Sequence, residues 1–171
     1  MTAANTAPDS IGRVMARRIQ AVKRRWSHGR TSQSGIPNKN SGADPIVSNV
    51  ATASAWRAQS HPGAPLLHGF LVRKAEKAHG TGRRIEGFSK EGARVVIVDD
   101  VCTTGASTIN AIEAAREAGM TVAAVVCIVE REDAHGRPAV EAAAGNAPFL
   151  RLFTASQARA EHLRQIPTAV S

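Results

Sequence analysis

The 171-residue sequence has no tyrosine, two cysteines and only 4% aromatic residues. Any chemistry that needs a tyrosine is therefore excluded. Cys102 and Cys127 form no CxxC or Cys/His cluster, which argues against a disulfide scaffold or a structural zinc site and suits a reducing cytoplasm. Long apolar runs are also missing. The longest, Val122 to Val129, is too short to span a bilayer, and the N-terminus carries no hydrophobic signal-peptide core. The expectation is a cytoplasmic protein with no membrane segment. What is present is 43% hydrophobic and 21% charged, enough to build one core of ordinary domain size rather than a disordered chain.

The formal charge of +8 is unevenly placed. Residues 1–42 hold eight Lys or Arg and a single acid, Asp9, whereas residues 43–171 hold 14 basic and 13 acidic residues. The basic character belongs to an N-terminal segment, so a nucleic-acid partner is not expected for the body. In that segment Ile11, Val14, Met15, Ile19, Val22 and Trp26 fall on one side of a predicted helix, read as packing on the core. A transit peptide and a basic helix touching RNA or membrane are the alternatives. Ser27 to Gly42 is rich in Ser, Gly, Asn and Arg and contains no apolar strand. The chain thus divides into a basic segment, 1–41, a core, 42–154, and a tail, 155–171, predicted to start helical and fray at Pro167.

The core alternates strand and helix. Pro45 to Ser60 reads as a helix with Ile46, Val47, Val50 and Ala53 on its apolar face. Leu66 to Val72 reads as a strand, and Arg73 to Gly87 as a charged, glycine-containing loop. Val95 to Val98 and Val122 to Val129 are continuous apolar runs, the mark of strands buried on both faces. Between them Ser107 to Ala118 is predicted helical, with Ile109, Ile112 and Ala115 apolar and Gly119 as the stop. Gly136 to Ala144 is a further helix and Phe149 to Phe153 a last strand. This order implies an α/β fold, a doubly wound parallel sheet with right-handed crossovers, and ligands at the carboxyl ends of its strands.

One such end is chemically distinctive. Val95-Val-Ile-Val-Asp99-Asp100 is followed by Val-Cys-Thr103-Thr104-Gly105-Ala106-Ser107-Thr108. The strand delivers two adjacent carboxylates, and a short hydroxyl-rich loop opens a helix. Gly105 permits close backbone approach, and the free N–H groups of the helix start cradle a phosphate. Two carboxylates beside such a cradle match a ribose 5-phosphate. The plain alternative is a polar turn with a helix cap. A second cluster, Arg73, Lys74, Lys77 and His79, lies in a loop with glycines at 80, 82 and 87. Mobile cations suit a departing pyrophosphate, and a moving lid keeps water from an oxocarbenium-like centre. The alternative is a solvated basic loop.

The first string resembles the phosphoribosyl-diphosphate (PRPP) motif of type I phosphoribosyltransferases. The loop, Arg73-Lys-x-x-Lys-x-His-Gly-Thr-Gly followed by Ile85-Glu-Gly, resembles the catalytic loop of orotate phosphoribosyltransferases. Gly42-Ala-Asp-Pro-Ile-Val47 is similar to the family segment after its first core strand, and Val129-Glu-Arg131-Glu to the place of an orotate-binding arginine. The resemblance covers about residues 42–154 and implies transfer of ribose 5-phosphate from PRPP to orotate, giving orotidine 5′-monophosphate and pyrophosphate for UMP synthesis. It implies that PRPP is bound by Arg73, Lys74, Lys77, His79, Asp99, Asp100, Val101, Cys102, Thr103, Thr104, Gly105, Ala106 and Ser107. Lys77, Asp99 and Asp100 are then catalytic, while Thr103 and Arg131 contact orotate. It further implies Mg²⁺ held mainly through PRPP with no dedicated protein metal site, and a homodimer whose loop 73–87 acts in trans. The N-terminal hood of the family is expected to be reduced or absent. A non-catalytic or impaired PRPP-binding regulator and a transferase acting on another base are the alternative functions. A surface salt bridge with Glu130 or Asp133 is the alternative role for Arg131.

Overall fold

The structure, a computed structural model, describes residues 35–39, 44–73 and 84–165. They fall within one unit, Ser32–Ser171. Six strands form one sheet: β1 (Gly35–Lys39), β2 (His68–Val72), β3 (Ile85–Gly87), β4 (Arg94–Cys102), β5 (Thr121–Glu130) and β6 (Phe149–Thr154). The helices are α1 (Asp44–Ser60), α2 (Ala106–Glu117), α3 (Arg137–Ala144) and α4 (Ala155–Gln165). Strand order is β3-β2-β1-β4-β5-β6, parallel except for β3, which runs antiparallel to β2. The chain steps outward in opposite directions from the β1/β4 boundary. Right-handed crossovers therefore place α1 on one face and α2 and α3 on the other, and the boundary is the topological switch point where such folds bind ligands. The doubly wound sheet is thus as expected, with an antiparallel edge added.

The core is built from Phe70 and Val72 of β2, Val95 and Ile97 of β4, Ala111, Ile112 and Ala115 of α2, Val125 and Cys127 of β5, Val140 of α3 and Phe149 of β6. β4 and β5 are not sealed equally on both sides. Val95 and Ile97 are fully buried, while Val96 and Val98 are only half-buried.

Several sequence expectations are corrected. A strand does precede Gly42: Gly35–Lys39 pairs along its whole length with His68–Val72 and meets β4 at Gly35↔Val95. Its sequence, GIPNK, has little strand character and its proline has no N–H for a ladder, so only the two flanking strands identify it. The sheet therefore takes in residues that the division at 41/42 left outside the core. The loop 73–87 closes as a hairpin stem, because Ile85–Gly87 pairs back on Val72–Phe70 and Arg73 N–H donates to Arg84 O at 2.9 Å. β2 begins at His68 rather than Leu66, whose side chain is exposed. The buried stripe of α1 runs through Val47 and Ser54, and Ala53 faces solvent. That of α2 is shifted onto Thr108, Ala111, Ile112, Ala114 and Ala115. The tail begins as a well-capped helix. Thr154 Oγ1 accepts from Gln157 N–H at 3.1 Å, and Gln157 Oε1 accepts from Thr154 N–H at 3.0 Å, a reciprocal capping box. The segment where the hood is expected to be reduced or absent, the amphipathic helix over Ile11–Trp26 and the fraying at Pro167 lie outside the described residues.

Candidate active site

β4 does not stop at Val98. Its ladder with β5 continues through Asp99↔Cys127, Val101↔Val129 and Cys102↔Glu130, so both aspartates are part of the strand and half-buried, not displaced beyond it. Each is held. Asp99 Oδ2 accepts from Thr108 Oγ1 at 2.5 Å, and Asp100 Oδ1 accepts from Val101 N–H at 2.8 Å. Thr108 is buried on the first turn of α2, so the helix that follows the loop orients the first carboxylate. Thr108 has no role in the sequence reading because its partner lies nine residues back, across a turn.

The loop reverses at Gly105, whose φ of +80° is left-handed. A Cβ there would overlap Val140 Cγ2 and approach Gly136 O to 3.2 Å. Gly105 is thus required by conformation and by space. No side-chain hydrogen bond caps α2, so its first turn keeps N–H groups without a side-chain partner at the positive end of the helix dipole. Thr103 and Ser107 are half-buried and Thr104 is exposed around this start. Val101 is exposed on the strand, whereas the Cys102 side chain is buried. Cys102 N–H donates to Cys127 Sγ at 3.3 Å, and both thiols are free and buried. Their mutual hydrogen bond lowers the Cys102 pKa and, aided by burial, pushes that of Cys127 far up. Cys127 is accordingly a neutral packing residue.

The end of β5 lies alongside. Arg131 N–H donates to Cys102 O at 2.9 Å, which brings Arg131 next to the acidic strand end. Its guanidinium is exposed and forked onto Asp133, with Nη2···Oδ2 2.5 Å and Nε···Oδ1 3.2 Å. Glu130 takes no part in that pair. It is buried and clamped by Arg137, with Nε···Oε1 2.8 Å and Nη2···Oε2 2.9 Å, and by Arg151. Arg137, with Arg151 adding to it, holds the Glu130 pKa at about 2 despite burial, and Arg137 also lies 4.5 Å above the Phe149 ring. Nothing in the run Val129–Glu132 marks Glu130 as the buried member, because its partners come from α3 and β6.

Of the loop cations, Arg73 is paired with Glu86 at the hairpin stem. Lys74, Lys77 and His79 lie outside the described residues. Arg84, given no role by the sequence, fastens the far side of the stem to α2 through Glu117 (2.6 Å) and Asn110 Oδ1 (2.5 Å). Among the described residues no three metal-ligating side chains converge. Asp99 and Asp100 are hard oxygen donors of the kind Mg²⁺ uses when most of its ligands are phosphates and water.

Comparisons with known proteins identify the family. A phosphoribosyl transferase domain matches residues 68–144. The structure superposes on Mycobacterium tuberculosis orotate phosphoribosyltransferase, solved with Fe(III) dicitrate, with a TM-score of 0.59 and 31% identity over 86% of this chain and 72% of that one. The chain belongs to the orotate phosphoribosyltransferase family. Orotate phosphoribosyltransferases of Streptomyces coelicolor and Aquifex aeolicus are 43% and 40% identical over 112 and 116 residues. These alignments span 66% and 68% of this chain but 57% and 58% of theirs, so the chain spans somewhat over half the length of the curated relatives it matches. A second M. tuberculosis structure, in complex with PRPP, is similar at 26% identity and TM-score 0.59.

Proposed function

We propose that the chain transfers ribose 5-phosphate from PRPP to orotate, yielding orotidine 5′-monophosphate and pyrophosphate. The observation that carries this reading is the joint end of β4 and β5: two held carboxylates, an uncapped helix start behind a left-handed glycine, and an arginine on the neighbouring strand end. The backbone of Val101 and Cys102 leads into Thr103, Thr104, Gly105, Ala106 and Ser107, which take the 5-phosphate through N–H groups and hydroxyls. Asp99 and Asp100 accept from the ribose hydroxyls, with Thr108 fixing the rotamer of Asp99. Arg73, Lys74, Lys77 and His79 neutralise the pyrophosphate as negative charge builds on it, with Lys77 the catalytic loop residue. Mg²⁺, held near Asp99 and Asp100 mainly by PRPP oxygens and water, supplies further charge neutralisation.

Arg131 and Thr103 receive orotate. Arg131 must first leave Asp133, and an exposed ion pair is worth only about 0–1 kcal/mol, so exchange for a bidentate orotate carboxylate is inexpensive. The protein works as a cytoplasmic homodimer with loop 73–87 reaching the partner's site. Purified protein with PRPP, Mg²⁺ and orotate should consume orotate absorbance, and no loss of absorbance at any protein concentration overturns the transferase reading. The Arg131–Asp133 pair also favours a second reading, a PRPP binder that takes no orotate; heat of PRPP binding without orotate consumption would select it. A mixture of Lys77→Ala and Asp99→Asn chains, each inactive alone, should regain activity if the loop acts in trans. Continued inactivity after demonstrated subunit exchange points to a loop acting in cis.

A further inference from the structure

Gly136 stands at the start of α3 with φ −75° and ψ −20°, a conformation open to every residue. Space, not backbone freedom, therefore demands glycine. A Cβ there would overlap the Thr103 carbonyl oxygen and lie 2.6 Å from Thr104 C and 2.9 Å from Gly105 N. The backbone of Gly136 thus rests directly on the backbone of the loop assigned above to the phosphate.

The segment leading to Gly136 is a closed turn. Its base is locked by the two-point Glu130–Arg137 pair, which joins the residues on either side of it. Inside, Ala134 N–H donates to Arg131 O at 3.1 Å and His135 N–H to Glu132 O at 3.3 Å. His135 turns the chain with a left-handed φ of 51°. The near end is tied to the last residue of β4 by Arg131 N–H to Cys102 O, and the far end to the phosphate loop itself by the Gly136 contact. A short turn pinned at its base moves as a body; one end is bonded to the strand end that leads into the loop and the other rests on the loop itself.

We propose that Gly136 is a positioning residue that couples this turn to the phosphate-binding loop, so that an anion seated on residues 103–107 also immobilises Arg131. The inference rests on the reading of residues 103–107 as the phosphate site. It links donor binding to the placement of the acceptor-side arginine through backbone packing alone.

Amide hydrogen exchange of the full chain, with and without inorganic phosphate at ten times its measured Kd, tests it. A segment that opens only in the free protein should slow about tenfold at that concentration. The expected result is slowing in both Thr103–Ser107 and Arg131–Gly136, with α4 unchanged. Slowing confined to Thr103–Ser107 overturns the coupling and leaves the phosphate site standing. Slowing in neither segment removes the phosphate site itself, and the inference with it. Gly136→Ala, whose Cβ pushes the two backbones apart, should bind phosphate more weakly; at ten times its own Kd it should still slow 103–107 but no longer 131–136. If the variant still transmits the slowing, phosphate reaches Arg131 directly and Gly136 has no positioning role. Should Gly136→Ala fail to fold, the wild-type exchange pattern decides alone.

Discussion

On one side of the β1/β4 boundary, β4 and β5 run nine and ten residues and share a long parallel ladder. On the other, β1 and β2 have five residues each and β3 three. The long side is roofed by α2 and α3, and its polar residues are interlocked: Thr108 with Asp99, and Glu130 with Arg137 and Arg151. The short side carries the stem of the cationic loop, latched by Arg84 to α2. The contrast divides the labour. On the proposed reading, the groups that hold ribose phosphate sit on the long strands, and the loop assigned to pyrophosphate starts and ends on the short ones. Preorganised donors and acceptors contribute to catalysis because they need not be reordered at the moment of reaction.

The comparison is tested most severely at the end of β4. Asp99→Asn with Asp100→Asn should remove two charge-assisted contacts, each worth roughly 1.5–3 kcal/mol, and so lower PRPP affinity by two orders of magnitude or more. The urea midpoint should hardly move, since an asparagine oxygen still accepts from Thr108. Unchanged calorimetric PRPP binding would refute the site.

Next comes the clamp at the end of β5. With its pKa held at about 2 against an ordinary glutamate's 4.5, Glu130 contributes roughly 3 kcal/mol of stability. Because the folded pKa is the lower one, that stability is complete above about pH 4.5 and is lost as pH falls toward 2. Glu130→Gln should cost about 3 kcal/mol at pH 7 and flatten the acid limb of the stability curve, measured by urea unfolding between pH 2 and 7. An equally steep acid limb in the variant would place the acid-sensitive group elsewhere.

Arg131 separates acceptor from donor. Arg131→Ala should raise the KM for orotate ten- to a hundredfold, about 1.5–3 kcal/mol, with PRPP affinity nearly constant. Arg131→Lys should recover part of the loss, because an ammonium cannot form the fork. Equal damage to both substrates would mean that Arg131 serves the turn rather than orotate.

The smallest effect belongs to the short side. Ser54 Oγ accepts from Leu67 N–H at 3.0 Å and donates to Ala51 O at 2.7 Å, fixing the entry to β2. Ser54→Ala should cost about 1 kcal/mol of stability while PRPP affinity stays as in the wild type. A drop in affinity would show that the two halves are not separable.

Local pattern was enough to read the alternation of strands and helices, the Asp-Asp and Thr-Thr-Gly string and the need for glycine at 105. Apolar periodicity, helix stops and a left-handed turn are all settled within a few neighbouring residues. The capping box of Thr154 and Gln157 was equally local, with the T-x-x-Q spacing in plain view, and it sharpens what composition alone left as a vague helical start.

Other features depend on partners distant in the chain. Gly35–Lys39 becomes a central strand only because β2 and β4 leave a place between them. Asp99 and Asp100 stay inside the sheet because β5 extends its ladder beside them. Glu130 is buried rather than Arg131 because Arg137 and Arg151 arrive from α3 and β6 to neutralise it. Gly136 looks like an ordinary helix start until the Thr103–Gly105 backbone is seen packed on its Cα. The sequence by itself determined the chemistry available at the strand ends, since residue type and short-range conformation are local properties. Only the tertiary structure decided which charges are held, which are exposed and which loop leans on which, because burial and contact belong to pairs of residues that the chain keeps far apart.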